Sequence, residues 1–138
     1  MQSLAVVIQS ILRYTLKWLY KKFKIESWFQ NELFKLMRND GFICFHPESK
    51  YGFCLLDWVI IDPNGLIFLM ELKVIDAYTF NMSQFEPSQV ALMNELTKRN
   101  APHCVAIYSK KLNQYKIVYY KDLVEQQNDK WWVLIFNK

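Results

Sequence analysis

One segment limits the possible folds more than any other. Residues 55–76, LLDWVIIDPNGLIFLMELKVID, form two apolar runs on either side of DPNG. Pro63 presets φ, and Asn64 and Gly65 tolerate the left-handed region, so residues 62–65 read as a tight turn. The runs 53–61 and 66–74 read as the two strands of a hairpin. Their hydrophobicity is nearly continuous, the pattern of strands covered on both faces, so the hairpin belongs at the centre of a sheet. Three charged residues, Asp57, Glu71 and Lys73, interrupt it.

Strand alternation puts Ile67, Leu69, Glu71 and Lys73 on one face. Counting outward from the turn sets Ile61 opposite Leu66 or Ile67, and Asp57 opposite Met70 or Glu71. A one-residue slip would reverse the side each residue faces. In the register that pairs Asp57 with Glu71, all three charges converge. The bland alternative is a buried ion pair, Asp57 or Glu71 with Lys73. Such pairs stabilise poorly compared with apolar packing, so two acids and a base in an apolar hairpin point to function. Hard cations such as Mg²⁺ take oxygen ligands and keep several waters. Two carboxylates can hold the ion and leave positions for a phosphate oxygen and a water whose pKa it lowers. A neighbouring lysine can orient that water or offset charge in the transition state.

The surrounding sequence reads as α/β, a mixed sheet flanked by helices. The spacing of Ile25, Trp28, Phe29, Leu33, Leu36 and Met37 predicts a helix that NDG (39–41) ends, with Gly41 in the left-handed cap. Strands are expected over 42–46, 103–109, 114–120 and 131–136. Helices are expected over 86–100, with Pro87 near its first position and Val90, Leu92, Met93 and Leu96 inward, and over 121–127. Residues 75–85 read as a polar loop.

The chain has 138 residues, 52% of them hydrophobic, enough for one domain with a real core. Cys44, Cys54 and Cys104 form no CxxC pair, which argues against a zinc site or disulfide framework and suits a reducing, cytoplasmic setting. Charge is uneven. Residues 1–24 carry Arg13, Lys17, Lys21, Lys22 and Lys24 with no acid, while the remainder holds 12 basic and 13 acidic residues. Residues 1–24 read as a basic amphipathic helix, with Ala5, Ile8, Leu12, Leu16, Leu19 and Phe23 at helical spacing. Arg13 and Lys17 cut the apolar run too short for a membrane span, so no stable insertion is expected. The leading reading is a packing or dimer-forming helix, followed by a DNA-contacting helix and then a membrane-surface one.

Asp57, thirteen intervening residues, then Glu71-Leu72-Lys73 resembles the D…(D/E)xK pattern of the PD-(D/E)xK nuclease superfamily. Glu32 on the preceding helix and Gln89 in the "EPSQ" opening of the next one are similar to a helical Glu and a downstream Gln in members of that superfamily. The run ALMNELTKRNAPHCVAIYS followed by YKIVYYKDLVE makes the likeness greatest to RecU-type Holliday-junction resolvases, over roughly residues 26–126. Leu56 stands where the motif often has proline, and the short DPNG turn leaves no room for a stalk insertion.

The resemblance implies a restriction-endonuclease-like core over residues 25–138. It implies a Mg²⁺-dependent DNA endonuclease in recombination or repair, with Mn²⁺ able to substitute. Asp57 and Glu71 would be metal ligands, the Leu72 carbonyl a third and Glu32 a further one. Lys73 would be the catalytic lysine and Gln89 its positioning residue. The implied partners are DNA, including four-way junctions, and a second copy of the chain. Alternatives are a catalytically silent DNA- or protein-binding module, or a VRR-NUC-like nuclease acting on flaps or duplex.

Weaker candidates are read against their ordinary roles. Ser49 and Lys50 can touch phosphate and His46 can act as a general acid, but with Glu48 they read first as a solvated loop. Lys98, Arg99, Lys110 and Lys111 suit DNA backbone contacts or plain surface. Tyr78 and Phe80 suit packing more than base stacking. His103 reads as structural, and the Trp131–Trp132 pair as a dimer or lid contact.

Overall fold

A computed structural model describes residues 25–46, 56–127 and 133–134. The basic helix expected over 1–24 lies outside them, as do Arg13, Lys17, Ser49, Lys50, Trp131 and Trp132. The chain opens with helix α1 (Ile25–Asn39), whose Phe29, Leu33, Phe34 and Met37 are buried. It stops as the NDG signal predicts. Gly41 takes φ +88°, Phe42 N–H donates to Met37 O (3.0 Å) and Gly41 N–H to Arg38 O (3.0 Å). That is a Schellman closure, with Met37 and Phe42 both buried beside it.

Strands β1 (Ile43–Phe45), β2 (Trp58–Ile61) and β3 (Ile67–Ile75) follow, then β4 (Thr79–Phe80) and a 3₁₀ turn, Met82–Gln84. Helix α2 (Pro87–Lys98) leads to β5 (His103–Ser109), β6 (Gln114–Val118), α3 (Tyr120–Gln127) and β7 (Val133–Leu134). The five-stranded sheet has the order β1-β2-β3-β5-β6, and β4 pairs with β7 separately. Among the described strands only β3–β5 is parallel, and α2 makes that crossover. The sheet is therefore mixed and flanked by helices, with β3 at its centre as its composition requires. The mixed sheet and its helices fit a restriction-endonuclease-like core.

Two expectations change. The strand expected over 53–61 begins, among the described residues, only at Trp58, with Leu56 and Asp57 ahead of it. The segment 75–85 is not a plain polar loop: β4 runs through it and Phe80 is fully buried against Phe85, which removes Phe80 as a base-stacking side chain.

The turn holds its register through Asp62. Its Oδ1 accepts from Asn64 N–H (2.9 Å) and Leu66 N–H (2.7 Å), while Gly65 sits at φ +87°. Ile61 pairs with Ile67 and Trp58 with Met70. β3 consequently divides its side chains cleanly. Phe68, Met70 and Leu72 join α1 in one apolar cluster with Cys104, Ala106 and Tyr108 of β5. Ile75 joins the other cluster, with Val105 and Ile107 of β5, Met93 of α2 and Leu123 of α3. Glu71 and Lys73 point to this second side, into the space beside α2.

Candidate active site

Asp57 occupies the point where two ladders stop. The β1–β2 ladder ends at Phe45–Val59 and the β2–β3 ladder at Trp58–Met70, so continuing the latter sets Asp57 opposite Glu71. In a regular antiparallel strand the N–H and C=O of one residue serve the same neighbour. Those of Asp57 do not. Its N–H donates to Glu71 Oε2 (3.1 Å), and its C=O accepts from His46 Nδ1 on the β1 side. Its carboxylate Oδ2 accepts from Leu72 N–H (3.1 Å). Three bonds thus turn Asp57 out of the sheet and fix its carboxylate against β3.

Glu71, Lys73 and Gln89 form a closed set beside it. Gln89 Nε2 donates to Glu71 Oε1 (2.5 Å), and Gln89 Oε1 accepts from Lys73 Nζ (3.0 Å). The same Oε1 accepts from Glu86 N–H (2.9 Å). That last bond is local helix chemistry. Glu86 precedes Pro87 at the start of α2, and a Gln three residues into a helix reaches back to the N-cap amide. The cap therefore orients the amide, and the amide in turn aligns an acid and a base. Lys73 Nζ also stands 3.7 Å from Glu71 Oε1 and 5.5 Å from the Phe85 ring centre.

The pocket crowds two acids where burial favours one charge. Glu71 is 1% exposed. Burial, then the charge of Asp57, pushes its carboxyl up from 4.5 to about 8, against the opposing pull of the Asp57 N–H bond and of Lys73. Two acids share a space that favours only one negative charge. A bound divalent cation would relieve this, and the donor set suits one: two carboxylates, with remaining positions left to waters and substrate, as Mg²⁺ prefers.

The structure brings Asp57, Glu71, Lys73 and Gln89 together. Leu72 lies between the two β3 residues, its side chain in the α1 cluster and its N–H on Asp57. Glu32 is not joined to them. It is half-buried on α1, whose packing residues contact the opposite face of β3, and no hydrogen bond or ion pair links it to the set. Among the described residues no three His, Cys, Asp or Glu side chains are grouped to hold a metal. Helical spacing puts Glu32 on one stripe with Trp28, Phe29 and Leu36, but it does not say which side of the sheet that stripe covers. Lys98 and Arg99 lie at the far end of α2 from Gln89, exposed and paired with Glu95 (3.3 and 3.7 Å). His103 is structural, bonded to Ala101 O (2.8 Å) and beside Thr97 Oγ1 (3.2 Å). The hold of His46 on Asp57 was not legible. The only signal was its place at the end of a strand that turned out to neighbour β2.

Comparisons with protein-family models and with curated proteins found no match. Among solved structures the fold is similar to Hjc, a Holliday junction resolvase of Archaeoglobus fulgidus, an archaeal hyperthermophile. The TM-score is 0.55 at 14% identity, over 75% of this chain and 81% of that one. The likeness is one of fold. No helix among the described residues is long and apolar enough to cross a membrane.

Proposed function

We propose that this chain is a divalent-metal-dependent DNA endonuclease that hydrolyses phosphodiester bonds in branched DNA, four-way junctions foremost. The observation that carries the reading is the Asp57–Glu71 carboxylate pair, with Lys73 fixed beside it through Gln89, on a fold similar to a Holliday junction resolvase.

Asp57 and Glu71 would hold Mg²⁺, with the Leu72 carbonyl as a third ligand. Bound there, Mg²⁺ supplies an acidified water and charge stabilisation at the phosphate. The protein's own groups do the rest. The backbone bonds on Asp57 preset its carboxylate, so little reorganisation accompanies substrate binding. Gln89 keeps the Lys73 ammonium 3.0 Å away on one side, leaving its other protons to orient a water or meet a phosphate oxygen in the transition state. In-line attack would leave a 5′-phosphate and a 3′-hydroxyl. Two symmetric cuts at a junction need two centres, so the reading includes a homodimer.

The test is to incubate the protein with labelled four-way junction, flap, single strand and linear duplex, with Mg²⁺, Mn²⁺ or EDTA. Junction cutting that needs the metal and is lost in Asp57→Ala and Lys73→Ala is expected. Cutting that survives both substitutions removes the site assignment, and no cutting of any substrate favours a binding module.

A further inference from the structure

We infer that His46 is a positioning residue for the metal site, acting on Asp57 through the main chain. The inference rests on reading Asp57 as a metal ligand. Asp57 lies one residue beyond the last β2–β3 pair and two beyond the last β1–β2 pair, so no backbone ladder holds it. Side chains take over that task, one from each flank: Glu71 Oε2 accepts its N–H and His46 Nδ1 binds its C=O.

A carbonyl oxygen only accepts, so Nδ1 carries the proton in this contact. The imidazole ring is itself steadied by Trp58, 5.4 Å away between centres, on the first residue of β2. The β1–β2 register explains why this residue reaches. Phe45 pairs with Val59, so His46 falls opposite Trp58, and its ring extends one residue further to Asp57. Without this bond the Asp57 C=O loses its β1-side anchor. The residue can then rotate back toward regular strand geometry, carrying its carboxylate off Leu72 N–H and away from Glu71. Losing a group that orients a metal ligand commonly costs about 10- to 100-fold in metal affinity.

The geometry names its own control. The carboxamide N–H of asparagine sits about where the imidazole Nδ1–H does, whereas that of glutamine sits about where Nε2–H does. The experiment is calorimetric titration of the full chain with Mn²⁺, for wild type, His46→Ala, His46→Asn, His46→Gln and Asp57→Ala, with melting curves to confirm folding. We expect His46→Ala and His46→Gln to bind Mn²⁺ about tenfold more weakly, His46→Asn to stay within about threefold of wild type, and Asp57→Ala to lose binding. His46 is exposed, so all three of its variants should fold. Wild-type affinity in His46→Ala alongside lost binding in Asp57→Ala overturns the inference and leaves the site reading standing. His46→Asn as weak as His46→Ala shows that the Nδ1 donor is not the determinant and also overturns it. Undiminished binding in Asp57→Ala removes the metal site itself, and the inference with it.

Discussion

The two faces of β3 differ by one residue in register and by nearly everything in chemistry. Phe68, Met70 and Leu72 meet α1 in a cluster of aromatic and aliphatic side chains in which every partner is replaceable by another of like volume. Leu69, Glu71 and Lys73, interleaved with them, face α2, and there each polar atom has a particular partner. The first face gains stability from burial and tolerates change in detail. The second places a carboxyl that is 1% exposed beside another acid, an arrangement that stability alone would not select. A strand that separates these tasks by alternation would let one element be both core and platform for the proposed site.

The largest expected effects break the polar face alone. Asp57→Ala should abolish metal-dependent cutting, and Lys73→Ala should slow it by about 10³-fold, the scale for losing one preorganised charge-stabilising group. Both should keep most of their stability in urea unfolding. The converse change is Phe34→Ala on the apolar side, where Phe34 packs on Trp58 with ring centres 4.0 Å apart. It should cost about 3–5 kcal/mol by urea unfolding while leaving the cutting rate per folded molecule near that of wild type. Gln89→Ala touches both tasks modestly. Loss of its bonds to Glu71, Lys73 and Glu86 should reduce turnover about 10- to 100-fold and lower stability by about 1 kcal/mol through the missing helix cap. Comparing single-turnover rates with melting midpoints separates the two losses. Lys98→Ala and Arg99→Ala mark the small end. Their side chains are 72% and 78% exposed, so each should change stability by less than about 1 kcal/mol and leave the cutting rate within experimental scatter.

The hairpin was legible from a four-residue turn with proline, asparagine and glycine, its register only to within one residue. Asp62 then locks the one observed. The order of helices and strands was legible from periodicity and end signals, with Gly41 and Pro87 as the clearest. Asp57, Glu71 and Lys73 were legible as a set in one of the two registers that alternation allowed, whereas Gln89 needed the family resemblance. What stayed hidden has a common physical cause. Periodicity says which residues share a face, not which layer that face meets, and so Glu32 was expected beside acids that point to the opposite side. Contacts made where ladders end, such as His46 with Asp57, depend on tertiary register rather than on any local pattern. The strand through Thr79 and Phe80 was hidden for the same reason: it pairs with β7, far along the chain.

In the proposed function, Glu71 and Asp57 are an acid pair that a divalent cation would complete. Folding raises the Glu71 carboxyl from 4.5 to about 8, so the folded protein holds a proton that the unfolded chain releases above pH 4.5. The stability linked to that proton is fully present below pH 4.5 and is lost as pH rises through 8. The decisive measurement is the melting midpoint of wild type and Glu71→Gln across pH 4 to 9, with EDTA or with Mn²⁺. The wild-type midpoint is expected to fall through this range in EDTA and to recover with Mn²⁺ at the alkaline end, and Glu71→Gln to lack both the fall and the recovery. Superimposable profiles for the two proteins, unmoved by Mn²⁺, would rule out the acid pair as a cation site.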